Sequence, residues 1–327
     1  MKKIRIKSMK HFGKVISVFA IIMLLLSSDG FAQFGYSLLV YPNSSSARDV
    51  ALGNATGSDI SNFSSSLLNP ASLSFSDKRT VTYNNHHSWT NNIYALEFGF
   101  QNMGRGRNSF SVNMQYLGNG MNKLNYLGDV EVFQPSVERI QLSLSYSYSF
   151  SPVFSLGATG RAFTAWNKYY ALENVNIDFG AIYSPSDLLS YSLIIKGVGH
   201  SLGYNKLGNG RTILVHKNME ESIEYGASLN FPEKGERRVL TLYASTETKI
   251  KVEEIYYRLA SEYVVNKVIA LRVGYINGIE NYMAGSEESG FSTGVGFNFG
   301  GLSLNYSLAP STSLKDRIHQ IGLVLKL

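Results

Sequence analysis

The stretch IQLSLSYSYSF, from Ile140 to Phe150, places a large apolar or aromatic side chain at every even position. Every odd position holds Gln141 or a serine. Side chains of a β-strand point alternately to opposite faces of the sheet, so a strict period of two gives one apolar face and one hydroxyl-rich face. The stretch is therefore predicted to be a β-strand with two very different surroundings.

Two kinds of β-protein share this alternation. In a water-soluble sandwich the apolar face packs against a second sheet. In an outer-membrane barrel the apolar face contacts lipid and the polar face lines the lumen. One strand does not distinguish the two, so the choice depends on the rest of the chain.

The N-terminus has the pattern of a secretory signal peptide. Six Lys or Arg residues precede an apolar core over residues 15–26, and Gly30-Phe31-Ala32 supplies small residues at a cleavage position. We predict a signal peptide over residues 1–32; a retained membrane anchor is the alternative, although the apolar run is short for a span. Removing residues 1–32 lowers the 30 basic and 24 acidic residues to 24 and 23, and the net charge from +6 to +1. Nucleic acid is therefore not expected as a partner.

The sequence after residue 32 contains no cysteine and no apolar run near twenty residues. Disulfides are therefore excluded, and any membrane crossing is expected from strands rather than helices. The period-two pattern predicts about 14 segments of roughly the length that a tilted membrane strand needs. They cover residues 80–88, 92–101, 108–117, 137–150, 153–166, 175–184, 188–199, 222–231, 237–248, 254–264, 268–276, 290–299, 301–309 and 317–327.

The connections between these segments alternate in length. Every second one is short and rich in turn residues, such as SP after the fourth segment and GG after the twelfth. The others are generally longer, as at residues 118–136 and 200–221. Outer-membrane barrels have short periplasmic turns and long outer loops. The sorting predicts such a barrel over residues 79–327, with both termini on the periplasmic side.

Charged residues support the same interpretation. An arginine or lysine on the lipid side of the midplane costs about 2 to 4 kcal/mol, so charges are expected on the lumen face. Seven of them alternate with the apolar set and are predicted to line the lumen: Glu97, Arg161, Asp178, Lys196, Arg258, Glu262 and Arg272. The chain ends with Ile321, Leu323, Leu325 and Leu327 in alternation, which resembles the closing strand that outer-membrane assembly machinery recognises.

Residues 33–78 are too many for a leader strand, and their Ser, Ala, Asn and Gly content with scattered Leu predicts short helices and turns. Ser46 to Gly53 reads SARDVALG, a short helical or extended packing segment, and Leu68-Asn69-Pro70-Ala71 is predicted to be a turn. The run S-A-R-x-x-A-L-G followed by N-P-A-x-L resembles the N-terminal signature of the PorV/PorQ family, and the matching hatch motif positions are Ser46, Ala47, Arg48, Ala51, Leu52, Gly53, Asn69 and Pro70.

The resemblance extends into the barrel. YLGNGMNKLNYLGD after the third strand and IIKGVGHSLGYN after the seventh are more similar to PorQ than to PorV. The chain departs from the family pattern at Asn54, where another glycine is usual, and at Asp59, where the family often has paired acidic residues. These departures concern the conformation of the hatch.

The resemblance implies a FadL-like, 14-stranded antiparallel barrel with residues 33–78 as a small N-terminal hatch inside its lumen. It also implies a non-enzymatic scaffold of the type IX secretion system, in the complex that attaches exported proteins to the cell surface. The implied partners are a sortase-like protease, a PorV-like carrier, C-terminal domains of cargo proteins and outer-membrane lipid. The long polar loops would form the contact surface.

Other functions have less support in the sequence. There is no G-x-S-x-G or Walker motif, and His86-His87 are adjacent on a strand and face opposite ways, so no enzyme activity, cofactor or metal site is expected. Some barrels are hydrolases, which leaves His200 and His319 as isolated candidates. The stronger alternative is FadL-like transport of hydrophobic small molecules, since Phe163 and Ile182 are predicted to face inward among mostly polar lumen residues. A soluble periplasmic β-protein is disfavoured by the loop sorting and the last strand.

Overall fold

The computed structural model describes most of the chain from residue 46 onward. The described residues are 46–61, 66–75, 80–88, 93–101, 107–119, 122–127, 130–134, 138–166, 170–206, 212–216, 221–232, 238–250, 254–279, 290–310 and 317–327. The predicted signal peptide and the first part of the predicted hatch lie outside them. No helix among the described residues is long and apolar enough to cross a membrane.

Short helices come first and strands follow. Helix α1 spans Ala47–Ala51, and 3-10 helices span Thr56–Ser58 and Pro70–Phe75. The strands are β1 Thr80–Ser88, β2 Ile93–Gln101, β3 Asn108–Asn119, β4 Asn122–Leu127, β5 Val130–Gln134, β6 Glu138–Ser151, β7 Phe154–Trp166, β8 Tyr170–Ser186, β9 Leu189–Lys206, β10 Thr212–His216, β11 Ser222–Pro232, β12 Arg238–Lys249, β13 Glu254–Val265, β14 Ile269–Ile279, β15 Gly290–Phe299, β16 Leu302–Pro310 and β17 Arg317–Lys326.

Fourteen of these strands close into an antiparallel barrel. Neighbours along the chain pair with each other, β3 pairs with β6, β9 pairs with β11, and the last strand β17 returns to pair with β1. Closure leaves the wall without an open edge. This matters in lipid, because no water is present there to form hydrogen bonds with unpaired backbone groups. The predicted fold class and strand number are confirmed.

Two predicted loops contain strands. Residues 118–136 include the β4–β5 hairpin, which pairs within itself, and residues 200–221 include the end of β9 and all of β10. The prediction ended the seventh strand at Gly199. In the structure β9 bulges there and continues to Lys206. The predicted boundaries of β8 were also too short, since it begins at Tyr170.

The two ends of the barrel differ. Described turns at residues 152–153, 187–188, 266–268 and 300–301 lie at one end, here called the turn end. Thr80 pairs with Lys326, so the first strand begins and the last strand ends at the turn end. The β4–β5 and β9–β10 hairpins lie at the opposite end, here called the loop end.

The outer face of the wall is apolar. Large side chains of alternate positions are exposed, for example Leu144 (55 %), Met114 (51 %) and Leu259 (59 %), while the intervening serines of β3 and β6, such as Ser111 and Ser143, are buried inside. Aromatic pairs line the turn end, with ring centroids 5.0 Å apart for Phe98 and Phe100. This is the reverse of a soluble β-protein and matches an outer-membrane barrel with an aromatic girdle. The soluble alternative is therefore wrong.

A lipid-facing charge tests the orientation of the wall. Leu144 lies near the middle of β6, so Leu144→Arg is expected to destabilise the folded barrel by about 2 to 4 kcal/mol. Phe150→Arg, close to the end of the same strand, is expected to cost only about 0 to 1 kcal/mol. Equilibrium unfolding in lipid vesicles measures both. Equal costs at the two positions would contradict a membrane-spanning β6.

Candidate functional site

The hatch occupies the lumen and contacts walls on all sides of it. Helix α1 contacts β14, β15, β16 and β17. The 3-10 helix Thr56–Ser58 contacts β9, β11 and β12, and the second 3-10 helix Pro70–Phe75 contacts β3, β6, β7 and β8. The described hatch residues therefore cross the barrel from one wall to the others, and their burial comes from the barrel itself.

Helix α1 is short, and local side chains fix its ends. Ser46 is its N-cap: its Oγ accepts a hydrogen bond from the Asp49 backbone N–H (3.1 Å) and donates to Asp49 Oδ2 (2.5 Å). Thr56 Oγ1 donates to Asp49 Oδ1 (2.6 Å). Gly53 follows the helix with φ +58°, the left-handed conformation that glycine adopts at helix C-termini. The motif SARDVALG thus specifies one capped turn of helix.

Arg48 joins this turn to the barrel wall. Its Nε and Nη2 donate to the two carboxylate oxygens of Glu262 on β13, at 3.1 and 2.5 Å. Its Nη2 also contacts Asp59 Oδ2 at 2.7 Å and donates to Tyr243 Oη at 2.9 Å. Arg272 Nε donates to Glu262 Oε1 at 2.7 Å. We call these five residues the Arg48 cluster.

The Arg48 cluster is buried, so its charged groups depend on one another rather than on water. Arg48 is 2 % exposed, Glu262 is 6 % and Arg272 is 4 %. Burial lowers the pKa of Arg48, but the carboxylates of Glu262 and Asp59 and the Tyr243 hydroxyl outweigh it and raise that pKa well above its usual value. Arg48 therefore stays charged at any working pH, and removing one member of the cluster would leave its buried charges unbalanced.

Glycines on the inner wall let the hatch backbone come close. A Cβ on Gly157 would lie 2.6 Å from Ala71 N, and a Cβ on Gly294 would lie 2.5 Å from the Ala51 Cβ. Gly274 faces the backbone of Leu52 and Gly53 in the same way, so a larger residue there would also collide with the hatch. These three positions, on β7, β14 and β15, are here called the glycine floor, because the hatch packs directly against them.

Serines beside the glycine floor bind hatch carbonyls. Ser292 Oγ donates to Ala51 O (3.1 Å), Ser155 Oγ to Ala71 O (2.7 Å) and Ser190 Oγ to Ser58 O (2.5 Å). Short helices leave many backbone carbonyls without intrahelical partners. The serine face that alternates along the strands satisfies three of these carbonyls.

The Asn69-Pro70 turn ties the two halves of the hatch together. Asn69 Nδ2 donates to Gly57 O at 2.8 Å, and its Oδ1 accepts from the Ala71 backbone N–H at 3.0 Å. Asn69 is fully buried. The eight predicted motif positions therefore all lie inside the barrel, where Ser46, Arg48 and Asn69 make the polar contacts described above and Gly53 and Pro70 contact glycines of the wall.

The seven predicted lumen charges all face inward. Glu262 and Arg272 belong to the Arg48 cluster. Arg161 pairs with Asp178 and donates from Nη2 to Leu67 O of the hatch (3.0 Å), while Glu97 accepts from Asn113 Nδ2 (2.8 Å). Lys196 and Arg258 lie in a network toward the loop end.

That loop-end network spans four neighbouring strands, with cations on β9 and β13 and anions on β11 and β12 between them. Lys196 Nζ contacts Glu224 Oε2 at 2.5 Å, and Arg258 Nη2 contacts Glu247 Oε2 at 2.5 Å. Lys196 also lies 3.5 Å from Glu247 Oε1. The two cations and two anions neutralise each other, so the network places a balanced polar layer beside the hatch.

Apolar side chains also face the lumen. Phe163, Ile182, Ile194 and Leu117 are buried on the inner face. Arg139 lies over the Phe163 ring, with its guanidinium carbon 4.3 Å from the ring centroid. Buried polar side chains on the strands nevertheless far outnumber the apolar ones, so the described lumen is predominantly polar.

Sequence reasoning missed Tyr243, Asp59 and the glycine floor as hatch contacts. The sequence does not distinguish Tyr243 from the other aromatic residues of the strands, and no sequence pattern shows what an inward glycine contacts. The described residues contain no group of three or more His, Cys, Asp or Glu that could hold a metal ion. His86, His87 and His200 lie on strands, but their side chains are outside the described set; His319 Nδ1 lies 2.7 Å from Tyr306 Oη.

No protein-family model matches the chain. No curated protein matches it either. Solved structures do match, with low identity. The Pseudomonas putida toluene transporter TodX is 12 % identical, with 91 % of this chain and 99 % of that chain covered and a TM-score of 0.61.

Two further barrels give the same result. The CymD monoaromatic hydrocarbon channel is 11 % identical, with coverage of 90 % and 98 % and a TM-score of 0.59. A Pseudomonas aeruginosa FadL homologue is 13 % identical, with coverage of 88 % and 97 % and a TM-score of 0.58. At this identity the likeness concerns the fold alone. The chain has the FadL-like fold of a 14-strand outer-membrane barrel.

Proposed function

We propose that this chain is a non-enzymatic outer-membrane scaffold that acts by binding other proteins, with its lumen closed by the hatch. The observation that carries the proposal is the polar attachment of the hatch: a buried arginine cluster, a glycine floor and serine contacts hold it across the barrel. A pathway for hydrophobic solutes would require a continuous apolar lining, because apolar solutes gain nothing from a buried ion-pair layer.

The proposal extends to the type IX secretion system through the resemblance to the PorV/PorQ family, with the chain closer to PorQ. The motif residues that carry the resemblance, in SARDVALG and LNPASL, include the residues that cap, anchor and turn the hatch. We propose the attachment complex for exported proteins as the place of action, with a sortase-like protease, a PorV-like carrier and cargo C-terminal domains as partners.

The proposed arrangement places both termini in the periplasm and the loop end outside. It follows from the turn end, which gathers the short described turns, as bacterial barrels have on their periplasmic side. The β4–β5 and β9–β10 hairpins would then face outward and be available to partners. Binding through them needs neither a cofactor nor a metal.

Shortening the β9–β10 hairpin tests this function. Replacing Leu202–His216 by Asn-Gly is expected to abolish surface display of exported proteins in cells that lack the native copy. The barrel should still assemble, because β9 keeps its pairing with β11 through residues 189–196. Assembly is checked by the heat-dependent shift of the folded barrel on gels. The same replacement of Asn122–Gln134 shows which hairpin matters, and normal display with both variants would contradict docking through the hairpins.

Transport of hydrophobic small molecules is the second candidate function. The fold comparisons favour it, since TodX is named a toluene transporter and CymD a monoaromatic hydrocarbon channel. Inward Phe163, Ile182 and Ile194 also offer apolar surface on neighbouring strands β7, β8 and β9. In this case the hatch would have to move to open a path, and the chain would retain a hydrophobic ligand during purification.

A further inference from the structure

Strand β9 has an irregular segment on the side facing β8. Ile177 pairs with Val198, but Phe179 pairs with Ile195, so Lys196 and Gly197 together oppose Asp178. This is a β-bulge, which bends a strand and increases its twist. Gly197 has φ +74°, a left-handed conformation that favours glycine.

On its other side, β9 pairs with β11 and then with β10. Thr212 pairs with Lys206 and Ser222 with Lys196, so β10 and β11 keep one register and continue the same position in the wall. Residues 197–201 begin at the bulge and lie between residues 189–196 of β9, whose pairing with β11 is described, and residues 202–206, which pair with β10. We call residues 197–201 the β9 joint; it connects the barrel wall to the β9–β10 hairpin.

Buried polar contacts link the hatch to the β9 joint. Leu67 O of the hatch accepts a hydrogen bond from Arg161 Nη2 at 3.0 Å. Arg161 Nη1 forms an ion pair with Asp178 Oδ2. Asp178 Oδ1 in turn accepts a hydrogen bond from the Gly197 backbone N–H at 2.8 Å. Arg161 is 4 % exposed and Asp178 is 1 %, so water does not compete freely for these contacts.

We propose that the β9 joint transmits the position of the hatch to the β9–β10 hairpin at the loop end. With the hatch in place, Leu67 O holds the Arg161 guanidinium, which orients Asp178 to accept the Gly197 N–H and so fixes the bulge. When the hatch moves, Arg161 loses this partner, Asp178 is no longer held, and the joint becomes free to bend.

The coupling is reciprocal. A change at the hatch that alters the hairpin implies that a molecule fixing the hairpin alters the seating of the hatch by the same factor. Binding at the loop end would therefore be sensed inside the lumen. The inference does not depend on whether the chain is a scaffold or a transporter, since the contacts that link the hatch to the joint are the same for both functions.

The experiment is amide hydrogen exchange on the intact barrel in lipid nanodiscs. Arg48→Met loosens the hatch at the Arg48 cluster, whose contacts do not include the β9 joint, and is expected to speed exchange at residues 197–206 by about fivefold or more. Arg161→Met is expected to speed exchange at the joint directly. In the Arg161→Met background, adding Arg48→Met should change the joint by less than about twofold, because the link is already cut.

A matched control and a milder variant complete the test. Glu254→Gln changes a buried acid at the start of β13 that accepts from Tyr256 Oη (2.7 Å), and should leave the joint unchanged. If Arg48→Met does not assemble, Tyr243→Phe removes one hydrogen bond to Arg48 and takes its place. The proposal is overturned if loosening the hatch leaves joint exchange unchanged, if Arg161→Met does so, or if Glu254→Gln speeds it equally.

Discussion

Arg48→Met is expected to lower the free energy that holds the hatch in the barrel by about 3 to 5 kcal/mol, the usual cost of removing one partner of a buried ion pair. The reason is the position of Glu262, which is 6 % exposed and receives both Nε and Nη2 of Arg48. Without Arg48 the buried Glu262 depends on Arg272, and Asp59 loses its contact at 2.7 Å.

Native-state amide exchange over residues 47–59 measures the free energy of hatch opening. The double variant Arg48→Met/Asp59→Asn removes the carboxylate that loses its arginine and keeps the Glu262–Arg272 ion pair, so it should recover part of the loss. Lys249→Met serves as a control, because Lys249 pairs at 3.7 Å with Glu254, which does not belong to the Arg48 cluster. An opening free energy in Arg48→Met within 0.5 kcal/mol of the wild type, about the scale of an ordinary surface substitution, would show that the Arg48 cluster does not anchor the hatch.

Gly157→Val is expected to displace the hatch from the opposite wall. A Cβ at Gly157 would lie 2.6 Å from Ala71 N and Pro70 C and 2.9 Å from Pro70 Cβ, so the 3-10 helix Pro70–Phe75 has to move. Overpacking of this kind costs about 1 to 3 kcal/mol, and more when the collision is with backbone. The loss should be seen as faster exchange over residues 66–75.

Gly160→Val is the matched control on the same strand. Gly160 is exposed, and no atom lies within 4 Å of where its Cβ would be. It pairs with outward Leu144, so the added methyl groups face lipid and should change hatch exchange very little. Equal effects of the two substitutions would mean that the glycine floor does not support the hatch.

Periodicity was enough to predict the barrel. Each strand alternates lipid and lumen in the way that Ile140 to Phe150 does, so the pattern is repeated about fourteen times and the errors are local. Strand β9 shows where it fails: the alternation breaks at the Gly197 bulge, although the backbone continues to Lys206. A bulge shifts the register by one residue, and period-two analysis interprets that shift as the end of a strand.

The attachment of the hatch could not be predicted from the sequence in the same way. Arg48 and Glu262 are 214 positions apart, and nothing local in either segment selects the other. The lumen face of Glu262 was predictable because a charge avoids lipid, but its partner was not. Similarly, the local sequence does not distinguish Gly157 and Gly274 from glycines that have no neighbouring atom at the Cβ position. The contacts become visible only when the closed barrel places the walls around the hatch.

The most direct test of the binding function is affinity purification of the tagged chain from detergent-solubilised outer membranes, with mass spectrometry of the proteins and small molecules that accompany it. The scaffold account predicts a sortase-like protease and other secretion components with the wild type, and their loss when Leu202–His216 is replaced. A barrel that purifies alone, with a hydrophobic molecule bound in its lumen, would contradict the scaffold account and establish transport as the function.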